Sequence, residues 1–174
     1  DQQNVHAVQA SDIYIQVMQG AAFNRIDDKV IDLSNKLING YADSPYAALA
    51  SFALAKAEYE KGNTEGAATQ LELAAKYAND EVTAQIANLR LASVYIELEK
   101  YDEAEALLNM KHNELYDAQY EELRGDLYSA KGDIPQARMA YDKALSLQGI
   151  SASKWLKLKR QNLGADADKS DQPA

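Results

Sequence analysis

The sequence has 174 residues, enough for one domain with a hydrophobic core, and its 3 Pro, 8 Gly and lack of long alternating β-branched runs predict an all-α protein. The formal net charge of −9 argues against binding to nucleic acid or to anionic lipid, because phosphate groups repel an acidic chain. No run of about 18 apolar residues occurs, so no membrane-spanning helix is expected within the sequence, and the absence of cysteine fits an oxidising compartment such as the periplasm.

Two amphipathic helices are predicted at the N-terminus, as a divergent hairpin over residues 4–42 that caps the domain. The apolar face predicted for the first helix consists of Val8, Ser11, Ile15 and Met18, with Val17 beside them. The second helix begins at Asp27-Asp28, because acids favour the first turn of a helix. Its predicted buried stripe consists of Val30, Leu33, Leu37 and Tyr41.

A pattern of small and aromatic residues recurs in the rest of the chain. It is clearest after Leu123, where six residues fall at offsets 0, 3, 7, 12, 16 and 19: Gly125, Tyr128, Gly132, Ala137, Tyr141 and Ala144. Small residues at these spacings let two helices approach closely, and Gly132-Asp133 supplies the turn between them. The pattern matches twice more upstream, and the equivalent alanines Ala67, Ala104 and Ala137 are 37 and 33 residues apart.

This pattern resembles the tetratricopeptide repeat, a helix–turn–helix unit of about 34 residues. We therefore predict repeats at 46–78, 81–112 and 114–147, within a tetratricopeptide-repeat-like domain over residues 1–163. The resemblance implies a right-handed α-solenoid of helical hairpins with a C-terminal capping helix. The middle repeat departs from the pattern, because its second helix is interrupted at residues 109–112.

The predicted capping helix covers residues 151–163 and is opened by Ser151, and a disordered tail is predicted over 164–174. The helix holds the single tryptophan, Trp155, and four cations without an acid: Lys154, Lys157, Lys159 and Arg160. These cations have two interpretations. One is that they stabilise the C-terminal end of the helix through its dipole, and the other is that they form a secondary basic face that docks on an acidic partner.

No enzyme signature is present, and no cofactor or metal site is expected. The two histidines, His6 and His112, lie far apart and have no partner at ligand spacing. Residues 151–154 match the S-x-x-K nucleophile motif, but the S-D-N and K-T-G motifs that accompany it are absent, and a serine that opens a helix explains the match. We therefore expect a non-enzymatic protein-binding module.

The expected binding surface lies on the concave side of the array, which the first helix of each hairpin lines. Helical spacing places these residues toward that side: Leu49, Phe52, Lys56, Tyr59, Ile86, Leu89, Ser93 and Ile96. An apolar groove rimmed by charge suits an extended or helical peptide, including an unfolded client segment. The alternative is that Phe52, Leu89 and Ile96 are ordinary core residues covered by the N-terminal hairpin or the last helix.

The order of the repeats, together with four stretches of sequence, resembles one protein family. The stretches are SPYAALASFALA at 44–55, NLRLA at 88–92, LRG at 123–125 with KGD at 131–133, and LKRQNL at 158–163. In these residues the chain resembles the ancillary SecYEG translocon subunit (YfgM-like) family of proteobacteria, over about residues 1–163.

The resemblance implies a single-span inner-membrane protein whose repeat domain lies on the periplasmic side, with the membrane anchor expected upstream of Asp1. It implies two partners, namely the SecYEG translocon and a membrane-anchored periplasmic chaperone of the peptidyl-prolyl-isomerase type. The implied role is to pass newly translocated proteins to periplasmic chaperones. The competing interpretation is a generic periplasmic repeat scaffold for outer-membrane or pilus assembly.

Overall fold

The structure, a computed structural model, describes residues 1–170, with side chains through Gly164. Over these residues the chain forms nine α-helices and no strand, which confirms the predicted all-α class. In chain order the helices are α1 (Gln2–Ala22), α2 (Asp28–Gly40), α3 (Tyr46–Glu60), α4 (Thr64–Tyr77), α5 (Glu81–Glu97), α6 (Tyr101–Leu108), α7 (Asp117–Ala130), α8 (Ile134–Gln148) and α9 (Lys154–Ser170). None of these helices, as far as residue 170, combines the length and the apolar character needed to cross a bilayer.

The chain divides into two compact units, residues 1–94 and the residues from 95 onward, and α5 crosses the boundary between them. In the first unit, α1 packs against α2 and α3, and α3 pairs with α4 as a hairpin. One cluster of buried core residues is drawn from α1, α2 and α3: Ala10, Ile13, Val17, Val30, Leu37, Ile38, Ala47, Ala50 and Leu54. The first unit therefore has a core of its own, formed by the N-terminal hairpin and the first clear repeat.

The face that α1 buries differs from the one predicted. The prediction chose the side with Val8, Ile15 and Met18, but all three of these side chains are exposed. The buried side carries Ala10 and Ile13 instead, together with Val17, which the prediction had placed beside the apolar face. Both sides repeat apolar residues at helical spacing, and the side with the small residue Ala10 is the one that packs against other helices. The prediction for α1 was wrong because periodicity alone could not choose between two apolar sides.

The turns inside the three repeat hairpins share one hydrogen-bonding pattern. In each turn, a backbone N–H donates to the carbonyl five residues earlier: Asn63 to Glu58, Lys100 to Tyr95 and Asp133 to Tyr128. The residue before each donor has a positive φ, which is +86° at Gly62, +58° at Glu99 and +79° at Gly132. Only glycine adopts this conformation without steric cost, so the middle turn carries strain that the other two avoid.

The small-residue contact predicted for the last hairpin is present between α7 and α8. Ala137 and Ala144 are fully buried, and a Cβ at position 125 would collide with the ring of Tyr141. The Tyr141 hydroxyl donates a hydrogen bond of 2.7 Å to Asp126, which fixes the ring over Gly125. Ala137, Tyr141 and Ala144 belong, together with Leu156 and Leu163 of α9, to the core cluster of the second unit.

The second helix of the middle repeat is short, as its departure from the pattern predicted. α6 has eight residues and ends at Leu108. The chain after it is held by His112, whose ring stacks on Tyr120 with the centroids 3.7 Å apart. The His112 Nε2 atom lies 2.9 Å from the Asp117 carboxylate at the start of α7. His112 therefore has a structural role in the connection between α6 and α7.

The last helix differs from the prediction at both ends. The structure opens α9 with Ser153, whose side chain accepts a hydrogen bond from the Leu156 N–H, whereas Ser151 donates to the carbonyl of Gln148 in a 3-10 turn. The helix runs to Ser170, so the first part of the predicted tail, 164–170, is helical, and residues 171–174 lie outside the described residues. The prediction placed the helix boundary at Gly164, but one glycine does not end a helix.

Candidate interaction surface

The first compact unit carries most of the predicted groove residues, on the solvent-exposed sides of α3 and α5. Leu49, Lys56 and Tyr59 of α3 are exposed, and they are separated by seven and three residues, which keeps them on one side of the helix. On α5, Ile86 and Ser93 are exposed and also lie seven residues apart. We call the seven predicted residues of this unit the α3–α5 strip: Leu49, Phe52, Lys56, Tyr59, Ile86, Leu89 and Ser93.

The two helices of the strip contact each other through Phe52. The guanidinium carbon of Arg90 lies 5.3 Å from the centroid of the Phe52 ring, within the range of a cation–π interaction. Phe52 and Leu89 are half-buried. Partial exposure is compatible with either role of Phe52, so its place in the binding surface stays a prediction.

A small depression adjoins the strip beside Lys56. It has a volume of about 280 Å³ and lies between the end of α1 and the outer side of α3, where Ala53 and Ala57 form part of its lining. The Lys56 ammonium lies 3.8 Å from the Glu60 carboxylate, and both side chains are largely exposed. Such an exposed pair contributes about 1 kcal/mol or less, so Lys56 is available to a ligand.

The last predicted groove residue, Ile96, belongs to the second compact unit. It is half-buried and lies near the C-terminal end of α5. The strip as a site of the first unit therefore ends at Ser93.

The predicted basic face of α9 is partly used inside the second unit. The Lys159 ammonium donates to Glu122 and Asp126 of α7 at 3.1 and 2.9 Å. Arg160 binds both carboxylate oxygens of Asp142 on α8. These two cations join α9 to the last hairpin, and only Lys154 and Lys157 of the predicted face are classed as exposed.

Two groups at this junction, the Tyr141 hydroxyl and the Lys159 ammonium, have raised pKa values. Burial raises the pKa of the Tyr141 hydroxyl well above its usual range, and the hydrogen bond to Asp126 adds to the effect. Burial alone would lower the pKa of Lys159, but the hydrogen bonds and charges of Asp126 and Glu122 outweigh it and raise the pKa. The junction is therefore a structural ion-pair cluster with its cation protonated at neutral pH.

The acidic and histidine side chains form no metal centre in the described part of the chain. His6 lies 3.4 Å from Asp43 and packs against the ring of Tyr41, which ties α1 to the end of α2. Through residue 164, no three His, Cys, Asp or Glu side chains converge in a way that could hold a metal ion. Both histidines thus make local structural contacts.

Comparison with known proteins places the chain in a family. A family model described as a tetratricopeptide repeat-like domain matches residues 1–165. The chain belongs to this family. The comparison with solved structures gave no significant match.

The curated relatives share one name, ancillary SecYEG translocon subunit. The protein of that name from Escherichia coli (strain K12) is 34% identical over 119 residues, which is 68% of this chain and 58% of that protein. The one from Haemophilus influenzae is 30% identical over 128 residues, covering 74% of this chain and 63% of that protein. The one from Aggregatibacter actinomycetemcomitans is 29% identical over 129 residues. These relatives confirm the resemblance seen in the sequence, and the chain spans about three fifths of the length of the first two.

Two features of the surface were missed by the sequence analysis. Arg90 of α5 was not assigned to the strip, although its guanidinium covers part of the Phe52 ring. The pairing of Lys159 and Arg160 with acids of the last hairpin was also missed. The sequence held a signal for these ion pairs, because Glu122 and Asp126 are four residues apart on one face of α7 and Asp142 lies on the neighbouring helix α8. The side of α9 that packs against these helices was unknown.

Proposed function

We propose that this chain is a non-enzymatic protein-interaction domain whose binding surface is the α3–α5 strip. The observation that carries the proposal is the exposure of large apolar side chains along the strip, with Leu49 38% and Ile86 37% exposed and Tyr59 exposed beside them. An array of apolar side chains on adjoining helices, rimmed by charges such as Lys56 and Arg90, suits an extended or helical segment of another protein.

The size of the strip favours a weak and exchangeable contact. Burying one such side chain contributes roughly 1.5–3 kcal/mol, and ordering a flexible bound segment offsets part of this gain. Three side chains, Leu49, Tyr59 and Ile86, therefore support transient capture of a segment rather than a permanent complex. Transient capture is what a protein that passes clients onward requires.

We further propose that the domain works beside the SecYEG translocon, on the periplasmic side of the inner membrane. The shared name of the curated relatives supports the association with SecYEG. In this role the strip takes a segment of a newly translocated protein or of a membrane-anchored chaperone of the peptidyl-prolyl-isomerase type. The tetratricopeptide-repeat-like fold supports a scaffold without catalysis.

The test compares variants of the strip with a matched control in the complete protein. Leu49→Asp and Ile86→Asp place a charge on the strip at exposed positions, so the fold should be retained. Ile31→Asp on α2 is the control, because Ile31 is 38% exposed, as Leu49 is, and lies outside the strip. We expect the two strip variants to lose most of the translocon and chaperone recovered with the protein from solubilised membranes, while the control retains them. Equal recovery with all three variants would show that the partners use another surface.

A further inference from the structure

The connection between α8 and α9 exposes a group of apolar side chains in the second unit. Ile150 is 104% exposed, as much as in an extended chain, and Trp155 is 64% exposed. Leu158 is also exposed and lies three residues after Trp155, on the same side of α9. A tryptophan and two aliphatic side chains are thus presented to the surroundings over nine residues.

Two lysines flank these apolar side chains, and no stabilising role within the fold accounts for them. Lys154 and Lys157 are exposed and have no ion-pair partner among the described side chains. Both lie in the first turn of α9, where the helix dipole disfavours a cation. The earlier interpretation that the basic residues stabilise the C-terminal end of this helix is therefore wrong for Lys154 and Lys157, because the helix begins, rather than ends, near them.

The local charge is positive although the whole chain is acidic. The acids that face α9 from the last hairpin are occupied by Lys159 and Arg160, as described above. From Lys154 to Gly164 the sequence contains no acid. At physiological ionic strength, charges separated by more than about 8 Å are largely screened. A flat anionic surface at this corner therefore meets Lys154 and Lys157 first.

The core side and the exposed side of α9 are opposite each other. Leu156 and Leu163 are seven residues apart and are buried in the core cluster of the second unit. Lys154 and Leu158, four residues apart, lie on the other side of the helix. A surface can therefore cover Ile150, Trp155 and Leu158 without unfolding any of the core.

We propose that this corner, formed by Ile150, Lys154, Trp155, Lys157 and Leu158, rests on a bilayer surface that contains anionic phospholipid. Tryptophan favours the region between the lipid headgroups and the acyl chains, and aliphatic side chains beside it enter the outer part of the hydrocarbon. Lysines flanking them meet the lipid phosphates. The proposal does not depend on the α3–α5 strip, and it gives the domain a fixed side toward the membrane.

The single tryptophan makes the proposal directly testable, because all tryptophan fluorescence of the chain comes from Trp155. The chain is titrated with phosphatidylcholine vesicles and with vesicles of phosphatidylcholine and phosphatidylglycerol. We expect a blue shift of the emission and protection from a soluble quencher with the phosphatidylglycerol vesicles only. No shift with either vesicle, or the same shift with both, would overturn the proposal.

Variants identify the residues and exclude a protein partner of the same charge. Lys154→Gln with Lys157→Gln should weaken vesicle binding at least about tenfold, since each lysine near an anionic surface contributes on the order of 1 kcal/mol. Lys29→Gln with Lys36→Gln on α2 makes the same change in charge at two exposed positions and should leave binding unchanged. An equal loss in both double variants would show a non-specific charge effect. A blue shift with soluble polyglutamate and none with vesicles would assign the corner to an acidic protein and refute the lipid proposal.

Discussion

Gly125→Ala is the substitution that tests the packing of the last hairpin most sharply. The added Cβ would fall on ring carbons of Tyr141, and the ring cannot retreat because it is buried and its hydroxyl is bonded to Asp126. Overpacking of this kind costs typically about 1–3 kcal/mol, and a fixed ring favours the upper part of that range. Replacing glycine by alanine inside a helix contributes about 1 kcal/mol in the opposite direction. We expect a net loss of about 1–2 kcal/mol.

The assay is thermal and urea unfolding followed by far-ultraviolet circular dichroism, with Gly40→Ala as the matched control. A Cβ on Gly40, the last residue of α2, meets no heavy atom within 4 Å, so this variant should be as stable as the parent or more stable by up to about 1 kcal/mol. The melting temperature of the Gly125 variant should fall by roughly 2–8 °C for a chain of this size.

A double-mutant cycle isolates the cause of the loss. In a Tyr141→Ala background the collision is gone, so Gly125→Ala should become neutral or stabilising by up to about 1 kcal/mol. If Gly125→Ala unfolds like the parent, or has the same effect in both backgrounds, the contact of Gly125 with Tyr141 does not determine the packing of this hairpin.

The strained turn and the raised pKa values give two further predictions. Gly62→Ala should destabilise the fold by about 1 kcal/mol, whereas Glu99→Gly at the equivalent turn position should be neutral or stabilising by up to about 1 kcal/mol. If thermal melts show that Glu99→Gly destabilises the fold and Gly62→Ala does not, the alignment of the two turns is contradicted. The unfolded chain releases the protons of Tyr141 and Lys159 near pH 10.0 and 10.5, while the folded chain retains them. Their contribution to stability is therefore complete below pH 10 and is lost as the pH rises through the folded pKa values. The melting temperature should fall above pH 10, and less steeply in Tyr141→Phe; identical slopes would refute a part for Tyr141.

The elements that could be predicted from the sequence are those determined by local chemistry. The turn at Gly132 requires a positive φ, and the close approach of the helices at Ala137 and Ala144 requires small side chains, so residue type and spacing were sufficient.

The elements that could not be predicted depend on which surfaces meet. The sequence of α1 is apolar on two sides, and the choice of Ala10 and Ile13 over Val8 and Ile15 depends on the shapes of α2 and α3. The partners of Lys159 became visible only when α9 was placed against the last hairpin. For the same reason, the cover of Phe52 by Arg90 could not be inferred from either helix alone.

The central claim is that the α3–α5 strip contacts the translocation machinery, and site-specific crosslinking in the native membrane tests it most directly. A photo-reactive amino acid replaces Ile86 in the complete protein, and Ile31, which has nearly the same exposure, is replaced in the control. We expect crosslinks from position 86 to SecYEG, to a periplasmic chaperone or to a nascent client, and none of these from position 31. Crosslinks from position 31 alone, or to outer-membrane or pilus assembly proteins from position 86, would contradict it.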